Sequence, residues 1–218
     1  MRTDEEIKQD ILDELEFQPN IDETQIGVVV KDGIVTLTGL VFSYAIKIAV
    51  VKTVEKVVGV KAIAEDIEIS YQSNLNKTDT EIANAAINAL EWNASVTNNK
   101  VIVEVDNGWI SLIGELEHAY QKEAARRTVE YLSGVKGVTN SITLKHSSIL
   151  TEDIKQNIRK AFKRSALVDA LGIKIETTDH AVKLTGLVSS LTEKREAEKV
   201  AFNAPGVYAV QNELKVVR

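Results

Sequence analysis

The chain is predicted to be an α+β protein made of three tandem α-β-β-α-β repeats. Three observations carry that prediction. The phrase Val30-Lys31-Asp32-Gly33-Ile34-Val35-Thr36-Leu37-Thr38-Gly39 recurs at 105–114 and again at 177–186, at offsets of 75 and 147 residues. An amphipathic helical pattern precedes each copy. A second helical pattern, closed by Gly59, Gly134 or Gly206, follows each copy. Residues 1–72, 76–146 and 149–218 are the expected repeats, each a small three-stranded mixed sheet with two helices on one face. Units of this size bury only about 60% of their unfolded surface, so the repeats are expected to pack on one another. The linkers between them, 71–77 and 146–148, are short.

The first helix of each repeat announces itself by spacing. Ile7, Ile11, Leu12 and Leu15 fall on one stripe, as do Ile82, Ala86, Ile87 and Leu90. In the third repeat the stripe is Ile154, Ile158 and Phe162, with Arg159 where the others are apolar. Thr3 with Glu6, and Thr78 with Glu81, read as capping boxes. A short connection then carries one apolar residue in step, Ile21, Val96 or Val168, expected to tuck under the sheet.

The hairpin follows. Asp32-Gly33 and Asn107-Gly108 favour a two-residue turn whose central residues have φ > 0. That turn sets Val30 opposite Val35 and Val28 opposite Leu37, with the matching pairs Val105–Ile110 and Val103–Leu112 on the inner face. The third turn is Asp179-His180, where His180 replaces glycine and is expected to tolerate φ > 0. Gly39, Gly114 and Gly186 stand where the chain leaves a strand for a helix, so close backbone approach explains them better than a functional signature does. Second helices are expected at about residues 43–58, 118–133 and 190–203, and last strands at 63–69, 138–144 and 210–216.

Composition bounds the function. The chain has no cysteine, which excludes disulfides, thiolate metal sites and a cysteine nucleophile. No apolar run approaches a membrane span. The start shows no secretory pattern, so the expected location is cytoplasmic if residue 1 is the native start, and periplasmic if a signal peptide was removed. The net charge of −6 is graded along the chain. Residues 1–75 carry 7 basic and 14 acidic side chains, residues 76–148 carry 7 and 9, and residues 149–218 carry 12 and 9. An acidic total without a broad basic surface argues against nucleic acid. His118, His146 and His180 occupy different places in the repeat and lack metal-ligand spacing. Gly134-Val135-Lys136-Gly137 matches an RNA-clamping GXXG loop in letters only, because Ala62 and Ala209 replace its second glycine in the sister repeats. No catalytic residue, cofactor or metal is expected.

The phrases Val35-Thr36-Leu37-Thr38-Gly39 and Val182-Lys183-Leu184-Thr185-Gly186 carry a resemblance. With Gly59-Val60, Gly134-Val135, Gly206-Val207 and the Asn140 and Asn212 of the last strands, the chain resembles the BON domain family three times over. That resemblance implies a non-enzymatic module of exported, osmotically induced or transport-associated proteins, engaging phospholipid surfaces or partner proteins.

Function should show where the copies differ. The first helix of the third repeat carries Lys155, Arg159, Lys160, Lys163 and Arg164, a basic stripe suited to an anionic membrane surface or an acidic partner. The same stripe would also fit a solvated face or a salt-bridge partner for the acidic first repeat. In the second helix of the first repeat, Ile46, Ile48 and Val51 stand where the sisters have Gln121, Glu123 and Arg126, and Glu193, Arg195 and Glu198. With Tyr44 they predict an apolar patch that another repeat, another chain or lipid must cover, which allows a homo-oligomer or client binding. On the outer sheet face of the second repeat, Ile102 pairs with Ile113 beside Trp109, and packing between repeats is expected to cover them.

Overall fold

A computed structural model describes residues 2–70, 77–96, 100–145, 151–165, 167–169 and 171–217. The linker residues 71–76 and 146–148, with His146, lie outside them. The first repeat runs α1 (Asp4–Glu16), β1 (Ile26–Lys31), β2 (Ile34–Val41), α2 (Tyr44–Val54) and β3 (Ala62–Ile69). The second runs α3 (Asp79–Trp92), β4 (Val101–Asp106), β5 (Trp109–Leu116), α4 (Ala119–Glu130) and β6 (Gly137–Leu144). The third runs α5 (Thr151–Arg164), β7 (Ile173–Thr178), β8 (Ala181–Val188), α6 (Leu191–Phe202) and β9 (Ala209–Val216). Three separate three-stranded sheets result, each with its second strand central.

The hairpin registers are those the turns dictate. Val30 faces Val35 and Val28 faces Leu37, and Val103 faces Leu112 while Val105 faces Ile110. The last strand lies parallel to the central one in the second and third repeats, Ile110 beside Val138 and Val182 beside Val210. In the first repeat, bonds from Lys61 N–H to the Gly33 carbonyl and from Ser70 N–H to the Val41 carbonyl give β3 the same direction as β2. The helices cover one face. Val35 and Leu37, Ile110 and Leu112, and Val182 and Leu184 are buried, together with the helix stripes Ile7–Ile11–Leu15, Ile82–Ala86–Leu90 and Ile154–Ile158–Phe162. The connecting residues Ile21, Val96 and Val168 are buried as well.

Two devices close the first and second repeats. Thr3 and Thr78 form capping boxes with Glu6 and Glu81. The next residue does more: the Asp4 carboxylate accepts the Asp32 and Gly33 N–H groups at 2.7 and 3.0 Å. Asp79 does the same for Asn107 and Gly108, at 2.8 Å each. One carboxylate thus serves a helix N-terminus, where negative charge is favoured, and holds the hairpin tip to it. Thr151 takes that position in the third repeat, and there the turn differs. Asp179 has φ 52° but His180 does not enter the left-handed region, contrary to the expectation that it would stand in for glycine. Its Nδ1 instead donates to the Gly206 carbonyl at 2.8 Å, and its ring lies against Tyr208. In the other repeats the equivalent carbonyls, of Gly59 and Gly134, sit 2.8 Å from where a Cβ on Gly33 or Gly108 would be.

The chain packs as two compact units. One comprises Met1–Gly39, Ala49–Ile67 and Ser147–Arg218, and the other Leu40–Ile48 and Glu68–His146. The first therefore joins most of the first repeat to the third.

Gly114 has φ 150°, and a Cβ there would lie 2.0 Å from the Lys100 carbonyl oxygen. Gly114→Ala should therefore lower the urea midpoint by the equivalent of about 2–4 kcal/mol. Unfolding at the wild-type midpoint would refute that role.

Candidate functional site

The basic end of α5 is built by a helix that buries one stripe and offers the rest to water. Ile154, Ile158 and Phe162 are buried, while Arg159, Lys160, Lys163 and Arg164 are exposed. Lys155 is half-buried and close enough to Glu176 to help hold that carboxyl below its usual range, after the larger effect of Lys174. The other four cations make no ion pair among the described residues, so they do not neutralise the acidic first repeat. Just past the helix, Leu167 and Leu171 are 59% and 96% exposed. Sequence reasoning singled out the cations and missed these two leucines, which break the helical period and so fall outside any stripe.

The apolar positions of α2 are not an open patch. Val51 is buried, and Tyr44, Ile46 and Ile48 are half-buried. Tyr44 packs against the core of the second repeat. Position 46 has its own explanation in the sisters. The Gln121 side chain accepts the Glu117 and His118 N–H groups at 3.1 and 3.0 Å. The Glu193 carboxylate accepts Asp169 N–H at 2.9 Å and Ser189 N–H at 2.8 Å. Those polar residues organise a helix start, whereas α2 uses the Ser43 hydroxyl, which accepts Ile46 N–H at 3.3 Å.

The outer sheet face of the second repeat corrects the expectation in the opposite sense. Ile102, Trp109 and Ile113 remain 62%, 50% and 37% exposed, so packing between repeats does not cover them. Trp109 lies over Gly137, where a Cβ would meet its ring at 2.4 Å, and its indole N–H donates to Thr139 Oγ1 at 2.8 Å. That contact gives Gly137 a structural reason, as the left-handed helix ending does for Gly134.

A buried acid joins the first repeat to the third. Glu55 is 3% exposed, meets the Arg195 guanidinium at 2.5 Å, and its backbone carbonyl accepts Thr192 N–H at 3.1 Å. Its counterpart Glu130 is also buried and pairs with Arg126 one turn earlier on its own helix. Val51 stands where that arginine would be, so the first repeat draws its cation from α6. Burial pushes the Glu55 carboxyl above the usual range, against the pull of Arg195 and Lys52. Burial also works to raise Glu193, but the hydrogen bonds from Ser189 and Asp169 outweigh it and hold that carboxyl below the usual range. The sequence did carry a signal for Glu55: the same acid at one position in two repeats, with Phe202 in the third, marks an inward-facing site.

No three His, Asp or Glu side chains gather to hold a metal ion among the described residues, and no helix among them is long and apolar enough to cross a membrane.

The family model of the BON domain matches residues 3–71, 78–146 and 151–218. Among curated proteins, the chain is similar to the osmotically-inducible protein Y of Escherichia coli (strain K12). The two are 26% identical over 159 residues, which cover 66% of this chain and 77% of that protein. Among solved structures it is similar to the C-terminal domain of CdsD, the structural protein of the type III secretion system of Chlamydia trachomatis. That likeness has a TM-score of 0.28 and 13% identity over 96% of each chain. A second CdsD structure gives 0.27 and 14%, covering 94% of this chain and 90% of that one. Scores that low carry no argument about this chain.

The two acids predict opposite pH behaviour. A folded-state value raised above the unfolded one makes ionised Glu55 the disfavoured form, so its contribution improves as pH falls toward the ordinary glutamate range. Glu193, with a lowered value, contributes above that range and loses its contribution as pH falls through the folded value. In thermal unfolding between pH ~4 and ~7, Glu55→Gln should gain on the parent chain as pH rises. Glu193→Gln should fall further behind it. Parallel pH profiles for the two variants would contradict both assignments.

Proposed function

The chain belongs to the BON domain family, and on that premise we propose that it is a non-catalytic protein that associates peripherally with anionic phospholipid surfaces. One observation carries the reading: four exposed cations at the end of α5, unpaired among the described residues, are followed by two exposed leucines. Lys and Arg near an anionic bilayer surface contribute about 1 kcal/mol each, and a buried leucine adds roughly 1.5–3 kcal/mol. The head groups would meet the guanidinium and ammonium groups while Leu167 and Leu171 enter the acyl boundary. The charge gradient suits this orientation, because the acidic first third adds repulsion wherever it nears the same surface. Similarity to a protein named for osmotic induction supports a role under osmotic stress. Capture of a second protein through the α2 apolar positions has less to support it, because Val51 is buried and Tyr44, Ile46 and Ile48 are already half-buried within the chain.

The wild-type chain should sediment with vesicles of phosphatidylcholine and phosphatidylglycerol, and not with phosphatidylcholine alone. Arg159→Glu, Lys160→Glu and Lys163→Glu together should weaken that binding roughly 100-fold or more. Undiminished sedimentation of the triple variant would overturn the assignment to α5.

A further inference from the structure

The same unit that carries the basic helix end also carries a surface that complements it. The outward side of α1 exposes Asp13, Glu14 and Glu16, and Phe17, at the end of the helix, is 84% exposed. Beside it opens a cleft of about 460 Å³ whose walls include Asp13, Glu14, Phe17 and the 43% exposed Val58. Arg2 and Lys56 also line it, and Arg2 is engaged by Asp10. Acid and exposed apolar surface therefore meet at the end of α1, as base and exposed apolar surface meet at the end of α5. The two do not satisfy each other within one chain: Asp13, Glu14 and Glu16 make no ion pair with α5 among the described residues.

We propose that the α1 cleft receives the α5 end of a second copy of this chain, Leu171 and Leu167 meeting Phe17 and Val58 while Arg159 and Lys163 meet Asp13 and Glu14. This partner reading rests on the α5 end being free, the feature the membrane reading also uses, and it makes self-association a competitor of the lipid surface. The contact is heterologous, because each copy offers one acidic cleft and one basic end, so copies add head to tail. One helix end in one cleft is small beside the roughly 1,600 Å² of a standard stable interface. The association is therefore weak, driven by concentration and steered by charge.

Sedimentation velocity on the whole chain without lipid tests it. At ~0.01 M salt, where charges act over about 30 Å, the weight-average mass should at least double as concentration rises. At ~1 M salt, where they act over about 3 Å, it should return to the monomer. Asp13→Lys with Glu14→Lys, and separately Arg159→Glu with Lys163→Glu, should each give a folded monomer by circular dichroism and sedimentation. Mixing the two variants should restore association, since each then meets a complementary surface on the other. A wild type that stays monomeric at low salt, or a mixture that stays monomeric, overturns the proposal. The two readings fail separately. The Asp13→Lys/Glu14→Lys chain should bind phosphatidylglycerol vesicles at least as well as wild type, having lost only the competitor. Vesicle binding that falls with this variant would overturn the competition. A wild type that self-associates but ignores the vesicles would sink the membrane reading and leave this one standing.

Discussion

In every repeat a backbone carbonyl comes so close to a glycine that no side chain could stand between them. The oxygens of Gln25, Lys100 and Gly172 lie 2.0, 2.0 and 2.1 Å from where a Cβ on Gly39, Gly114 and Gly186 would be. The approach occurs where the central strand outruns its hairpin partner: Gly114 is the last residue of β5 paired with β4, while β6 continues alongside to Leu116. It lets the first strand begin tight against the second, and the second helix follows the second strand after two residues and lands on the same face as the first. The last strand lies on the other side of the second, parallel to it, as at Ile110 beside Val138 and Val182 beside Val210. The carboxylates of Asp4 and Asp79 then fix the far end of the hairpin.

With the frame set by backbone contacts, side chains on the second helix are free to differ, and their differences sort the repeats. The buried Glu130 is served by an arginine on its own helix, whereas the buried Glu55 depends on the third repeat. Burying a carboxylate costs more than an exposed pair returns, and a partner group is needed to hold it in place. Arg195 is 63% exposed, so the pair stands at the edge of the covered zone rather than inside it. Such a pair favours one docking arrangement of α2 with α6 without adding much to stability.

The repeat, the hairpin registers and the inner faces were legible in the sequence, because each rests on local periodicity and turn chemistry. Val28, Leu37 and Ile110 could be placed from alternation alone. The basic stripe on α5 was legible for the same reason. Burial decided by distant chain was not. The patch at Tyr44, Ile46, Ile48 and Val51 read as needing a cover that the sequence could not name, and it is half-buried to buried within the chain, while Ile102, Trp109 and Ile113 read as covered and are open. Hydrophobicity records that a surface can be buried, and only the packing of repeats decides whether it is. Glu193 stands at the position of Ile46, and no sign in the sequence told that it accepts backbone N–H groups at the start of α6.

The discontinuous unit that joins 1–39 and 49–67 to 147–218 also sets an order of events during synthesis. Closing so long a loop is thermodynamically mild, since each doubling of loop length adds only about 0.6 kcal/mol. The delay is in time. A ribosome adding about 5–20 residues per second needs roughly 7–28 seconds to pass from residue 55 to residue 195. For that interval the face of α2 around Val51 and Glu55, interior in the finished protein, has nothing from α6 to cover it. A chain stopped anywhere in the second repeat would keep that face open for its lifetime.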